Sequence, residues 1–164
     1  MRTVYLVSVT LHVLAALVWL GGLFFLGLVG APILRRVQPA ELRQRLFHEL
    51  GVRFRTVGWG AITTLVATGI LNLHFRGWLQ WDAVLGNASF WGSPVGTALA
   101  IKLAAVAVMI VLSAIHDFWL GPAAGQMPPG SNEALAFRRR AAWIARINAL
   151  VGLILVIAAV RLVR

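Results

Sequence analysis

The chain has 164 residues, 60% of them hydrophobic, and a mean hydropathy of +0.84. A soluble domain of this size needs a polar surface that such a composition cannot supply, which leaves a polytopic membrane protein as the class. The net charge of +10 does not argue for nucleic acid, because the arginines cluster between apolar runs. Beside a membrane, that pattern sets topology and meets anionic lipid. With no cysteine, disulfides, thiolate metal sites and CxxC redox motifs are excluded.

Residues 4–30 form the first apolar run, without a charge and with one ionisable residue, His12. About 20 apolar residues cross a bilayer core, so this run spans with some tilt. Its apolar stretch is far longer than the core of a signal peptide and no A-x-A site follows, so it reads as a retained helix closed by Pro32 and Arg35–Arg36. Residues 33–55 carry six arginines against Glu41 and Glu49, and Leu42, Leu46, Phe47 and Leu50 recur at helical spacing. An amphipathic interfacial helix over about 39–53 is predicted, with Pro39 in its first turn. The second span is predicted over about 57–75 and is rich in Gly, Ala and Thr, residues that let helix backbones approach closely in lipid.

Residues 76–95 hold Trp78, Trp81, Phe90 and Trp91 and read as a loop with an interfacial aromatic belt. The third span, about 96–120, is expected to end at Gly121-Pro122. A linker follows in which Pro128-Pro129-Gly130 blocks regular structure. Ser131 or Asn132 caps a helix that becomes the fourth span, about 142–163. The result is one all-α domain over 1–164, an up-down bundle of four transmembrane helices. Six arginines lie between spans 1 and 2 and four between the linker and Arg146, against Arg76 alone between spans 2 and 3. The positive-inside rule then puts both termini outside, in a bacterial inner membrane.

Fourteen of the basic residues are arginine, and the single lysine, Lys102, lies inside an apolar span. At 1.5 Å per residue, His12 sits about 12 Å and Lys102 about 9 Å below the outer surface, with His74 near it. His48 and His116 fall on the other side. Lys102, Met109, Ser113 and His116 are spaced 7, 4 and 3 apart and share one face of the third span. Ser8, His12, Trp19 and Leu23 share a face of the first, and Thr56, Gly60, Thr63, Ala67 and His74 one of the second. These faces are expected to turn inward, because polar groups avoid hydrocarbon.

Bland explanations compete residue by residue. His48 and His74 sit where a histidine often only meets headgroups. His116 with Asp117 can cap the third span or bind Arg146, and Lys102 can snorkel on its long stem. His12 is too deep and too short to snorkel, and only a structural hydrogen bond accounts for it otherwise. Among metals, Cu(I) wants thiolates or thioethers, of which the chain offers few. Haem b wants axial histidines across a bundle, small residues that leave room, and cations for the propionates. His12 and His74 as axial ligands, or His12 with a weaker second ligand, with Trp19, Lys102 and Arg76 around the macrocycle, meet that description. His116 and, with less support, His48 would hold a second metal site.

The run LHVLAALVWLGGLFFLGLV (11–29), the Ala67-Thr68-Gly69-Ile70 stretch and GTALAIKL (96–103) resemble the copper-resistance D (CopD) membrane domain, across all four spans. A more distant resemblance is to the HemJ-type protoporphyrinogen oxidase, a four-span protein said to bind haem b. It too has a histidine seven positions before a tryptophan in helix 1, as His12 and Trp19 stand here, and a lysine in helix 3, as Lys102 does. Both resemblances imply that His12 and Lys102 carry the site. The HemJ-type Pro-Arg after the helix 1 aromatics is replaced here by Leu26-Gly27-Leu28, which argues against porphyrinogen oxidation.

The sequence is therefore read as a haem b protein of electron transfer or redox type, working in the lipid bilayer with a redox partner. An oxidoreductase activity and a homo-oligomer stay open. Lys102 is expected to meet a propionate or another anionic group on the ligand. The alternatives are a CopD-type copper permease or resistance protein, with copper as the metal, and a cofactor-free membrane assembly subunit whose histidines are hydrogen-bond glue.

Overall fold

The computed structural model describes residues 2–128 and 131–162. Every regular element in that range is helical. Helix α1 (Arg2–Phe25) continues through a π turn at Leu26–Gly30 into a short α2 (Ala31–Leu34). Helix α3 runs without a break from Ala40 to Phe75. After a turn at Trp81–Leu85 and the short α4 (Ala88–Gly92) comes α5 (Pro94–Ala114). It passes through a second π turn, Ile115–Leu120, into α6 (Gly121–Gln126), and α7 (Asn132–Arg161) completes the fold. Four continuous helical stretches, 2–34, 40–75, 94–126 and 132–161, are long and apolar enough to cross a membrane. The chain is a multi-pass membrane protein.

Two boundaries differ from the sequence reading. The amphipathic segment is the first half of α3, one helix with the second span. Nothing between Phe47 and Val57 breaks a helix, since Gly51 alone is tolerated. At 1.5 Å per residue α3 is about 54 Å long, so some 24 Å of it stands beyond a hydrocarbon core of about 30 Å. The third helix does not stop at Pro122. A proline inside an α-helix meets the carbonyl four residues back, and here the π turn widens the backbone just before it, with Gly121 N–H reaching His116 O. The same device precedes Pro32, where Ala31 N–H reaches Leu26 O. Of the predicted linker, Pro129 and Gly130 lie outside the described residues, as does Val163 at the predicted end of the fourth span.

Caps fall where side chains can supply them. Ser131 Oγ accepts from Ala134 N–H at 3.1 Å, as predicted, and Ser93 Oγ accepts from Gly96 N–H at 3.1 Å to start α5. The predicted loop at 76–95 holds a ring cluster, with Phe90 edge-on to both Trp91 (5.4 Å) and Trp78 (6.2 Å).

The long helices pair as α1 with α3 and α5 with α7, and α1 also meets α7. Ala15 and Trp19 of α1, Ala61 and Ile62 of α3, and Met109 of α5 form the common core, with Val151 and Leu155 of α7 packed on it. Met109 is 2% exposed. Gly152 lets α7 press onto α1, since a Cβ there would stand 2.5 Å from Leu20 Cδ1 and 3.2 Å from Trp19 Cζ3. At the arginine-rich end, Gln44 ties three elements together. It accepts from Arg138 Nη2 at 2.9 Å and donates to Gly125 O at 3.4 Å.

Candidate functional site

Ser8, His12, Ala15 and Trp19 follow one another at intervals of four, three and four, so they form one stripe along α1. The stripe packs on α3 near the end of the bundle that carries both termini. There His12 Nδ1 lies 2.8 Å from Thr68 Oγ1, and Ser8 Oγ donates to Thr68 O at 3.4 Å. The hydroxyl of Thr68 is already committed, because it donates to Thr64 O at 2.6 Å. A hydroxyl has one proton to give, so towards His12 its oxygen can only accept. In that arrangement Nδ1 of a neutral His12 ring donates to Thr68, and Nε2 keeps the lone pair. Such a nitrogen can bind a metal or take a proton. Gly69 leaves the ring room, since a Cβ there would lie 3.6 Å from His12 Cε1.

Lys102 on α5 is half-buried and lies within electrostatic range of His12, and Arg76 within range of Lys102. Among the described residues Lys102 forms no ion pair. Its charged neighbours among the described side chains are thus basic, and the anionic group expected from the sequence is one carried by the ligand. Arg76 donates to Tyr5 Oη at 3.4 Å and to Leu162 O at 3.2 Å, and its guanidinium lies 5.0 Å from the Trp78 ring. It fastens the ends of α1, α3 and α7 to one another.

The inward face of α1 is the expected one, and so is that of α5, where Met109 and Ser113 are buried and Lys102 and His116 half-buried. The face of α3 is different. Gly58, Ala61, Ile62 and Thr68 are buried, whereas Thr56, Gly60, Thr63, Ala67 and His74 are exposed. Threonines can face lipid because their hydroxyls bond their own helix, as Thr56 does to Val52 O at 3.2 Å and Thr64 to Gly60 O at 2.9 Å. Spacing alone could not choose between two faces that both carry small polar residues.

This correction separates the expected axial pair. His74 lies six residues beyond Thr68, about 9 Å along α3 and some 120° round it. It is exposed, with Phe75 edge-on at 5.9 Å. A haem between His12 and His74 does not fit this arrangement, and Trp19, Met109, Ala61 and Ile62 fill the space below His12. His48 is exposed against Gly125, and α3 carries it about 16 Å from Trp59, the residue that marks the level of His116. The two inner histidines are therefore also apart.

Beyond the core, a second polar group surrounds the π turn at Ile115–Leu120. His116 Nδ1 lies 2.7 Å from Asp117 Oδ1, Trp59 Nε1 donates to Asp117 Oδ2 at 3.0 Å, and Arg55 donates to Asp117 O at 3.2 Å. One turn nearer the core, Asn148 Nδ2 donates to Ser113 Oγ at 2.9 Å. Asp117 does not take up Arg146, which is exposed with its guanidinium 5.4 Å from the Trp143 ring. Sequence reasoning passed over Trp59 and Asn148. Asn148 had a signal, being an amide in the middle of an otherwise apolar span. Among the described residues no three His, Asp or Glu side chains converge on one point.

The family model for copper resistance protein D matches residues 48–162. An uncharacterized protein of Aquifex aeolicus (strain VF5) is 30% identical over 156 residues, covering 93% of this chain and 90% of the relative. No solved structure matches. The family match covers most of α3 and all of α5 to α7, and the relative aligns with 93% of the chain; the chain belongs to the copper resistance protein D (CopD) family.

Proposed function

We propose that the protein handles copper as cargo within the membrane, with His12 Nε2 as the ligand that receives the ion near the end carrying both termini. The observation that carries this reading is the commitment of Thr68. Its hydroxyl proton goes to Thr64 O, which fixes the His12 proton on Nδ1 and frees Nε2. Membership of a family described as copper resistance supports the metal's identity. One imidazole with no convergent carboxylates suits an ion that is passed on, because tightly held structural metals take three or four protein ligands. Lys102 beside it works in the same direction, since a cation near the ligand shortens the stay of another cation.

Below His12 the Met109 thioether is the soft donor at the centre of the bundle, and thioethers suit Cu(I). The arginine-rich end faces the cytoplasm in this reading, as the positive-inside rule requires, and the membrane is the bacterial inner membrane. Reporter fusions after Arg36 should read inside and one near Gly86 outside. The function itself is tested with detergent-purified protein equilibrated with Cu(II) and, under ascorbate, with Cu(I). Bound metal is counted after desalting. Copper should be retained by the wild type and reduced by at least one equivalent in His12→Ala. Wild-type protein that retains no copper in either oxidation state would overturn the proposal.

A further inference from the structure

His116 takes no part in that proposal, yet its surroundings repeat the device that frees His12. Neighbouring residues of an α-helix point about 100° apart, which keeps their side chains from meeting. His116 and Asp117 stand in the π turn, whose larger number of residues per turn narrows that angle, and their side chains meet at 2.7 Å. An ionised carboxylate only accepts, so the shared proton belongs to His116 Nδ1, and in the neutral form of the ring Nε2 carries the lone pair.

Asp117 is itself held in place. Trp59 Nε1 reaches its other oxygen at 3.0 Å, Arg55 reaches its backbone carbonyl at 3.2 Å, and the Phe118 ring packs 5.4 Å from Trp59. A carboxylate that fixes the far nitrogen of an imidazole is the usual support behind a metal-binding histidine. The ring is 37% exposed, enough for an ion to leave from it.

A second feature points to a ligand between His116 and the core. Asn148 is 4% exposed, and while its Nδ2 donates to Ser113, its Oδ1 has no hydrogen-bond partner among the described residues. A buried amide oxygen left bare carries the full desolvation penalty of an unmet hydrogen bond unless something visits it. Ser113 lies three residues from His116 and four from Met109 on the same face of α5. The donors thus run His116, Asn148 with Ser113, Met109, and then His12. Trp59 and Thr68, which mark the levels of the two imidazoles on α3, are nine residues apart, or about 14 Å.

We infer that His116 Nε2 is a second copper ligand, at the arginine-rich end, with Asp117 and Trp59 as its positioning residues. This inference rests on the copper reading of His12. The test uses the full chain in detergent, titrated with Cu(II) chloride and, under ascorbate, with Cu(I), with bound copper counted and the Cu(II) spectrum recorded by electron paramagnetic resonance. The wild type should bind two equivalents, His12→Ala one, and the double variant His12→Ala/His116→Gln none. Glutamine keeps side-chain volume and a donor towards Asp117, and in the single variant His116→Gln the intact His12 site should still load one equivalent, which reports on folding. In the His12→Ala background, Asp117→Asn should weaken the remaining site by about 10–100-fold and change its nitrogen hyperfine pattern. One equivalent in the wild type, lost in His12→Ala and retained in His116→Gln, would overturn this inference and leave the His12 proposal standing. No copper on the wild type would overturn both.

Discussion

His12 and His116 are each fixed through Nδ1, by Thr68 Oγ1 at 2.8 Å and by Asp117 Oδ1 at 2.7 Å. The first partner is a neutral hydroxyl, and the charges nearby are Lys102 and Arg76. The second partner is a carboxylate whose opposite oxygen is held by an indole. The same orientation of an imidazole is thus set in a positive field near the termini and beside a negative charge near the arginines. Under the copper proposal an ion meeting the first would be pushed onward, and one meeting the second would be drawn to the carboxylate, with the Arg55 guanidinium on the Asp117 carbonyl tempering the pull. In the copper proposal, geometry would make each histidine a ligand, while charge would give the pair a direction.

The sharpest way to break this comparison is to remove the supporting partners one at a time. Loss of an outer hydrogen bond to a metal-binding histidine typically costs 10–100-fold in affinity. Asp117→Asn loses both charge and acceptor strength, so its cost at the His116 site should lie near the upper end of that range. Thr68→Val loses only a neutral acceptor and should lie near the lower end at the His12 site. Copper titrations in single-site backgrounds measure both, and equal losses would show that the charge difference between the two ends is immaterial.

Lys102→Met comes next in size. It keeps the apolar stem and deletes the ammonium, so copper at His12 should be held more tightly, by on the order of tenfold for unit charges about 10 Å apart at an effective dielectric near 20. His116 should not respond. A variant that binds copper no better than wild type would mean that Lys102 is neutral or turned to the surface.

Four apolar runs, with arginines between them, made the fold class legible in the sequence. The inward face of α5 was legible as well, because its polar residues, Lys102, Ser113 and His116, fall on one stripe with Met109. The face of α3 was not, because its small and hydroxyl residues occupy both sides and threonines satisfy themselves on the lipid side. That ambiguity put His74 opposite His12 and suggested a haem. Proline punctuation misled at Pro122, since a π turn absorbs the clash that would otherwise end the helix. Thr68 stood in the sequence as one of several threonines, and only its hydrogen bond to Thr64 distinguishes it as the partner of His12.

The smallest predicted effect tests the core that separates the two ends. Gly152 sits where α7 meets Leu20 and Trp19 of α1, and an added side chain there has no free space. Trp19 and Met109 form the packed layer between the two imidazoles, so Gly152→Ala loads that layer without touching either histidine. Overpacking a filled core costs about 1–3 kcal/mol, and a single methyl group pressed against a flexible leucine end belongs at the low end. Unfolding in mixed micelles should show a loss of about 1 kcal/mol, with copper stoichiometry unchanged at both sites. On the proposed route, transfer between the sites would require side chains of that layer to move aside, so copper flux in proteoliposomes should fall more than stability does. Flux that tracks the stability loss alone would place the route outside this layer, and the two imidazoles would then serve separate pools of ion.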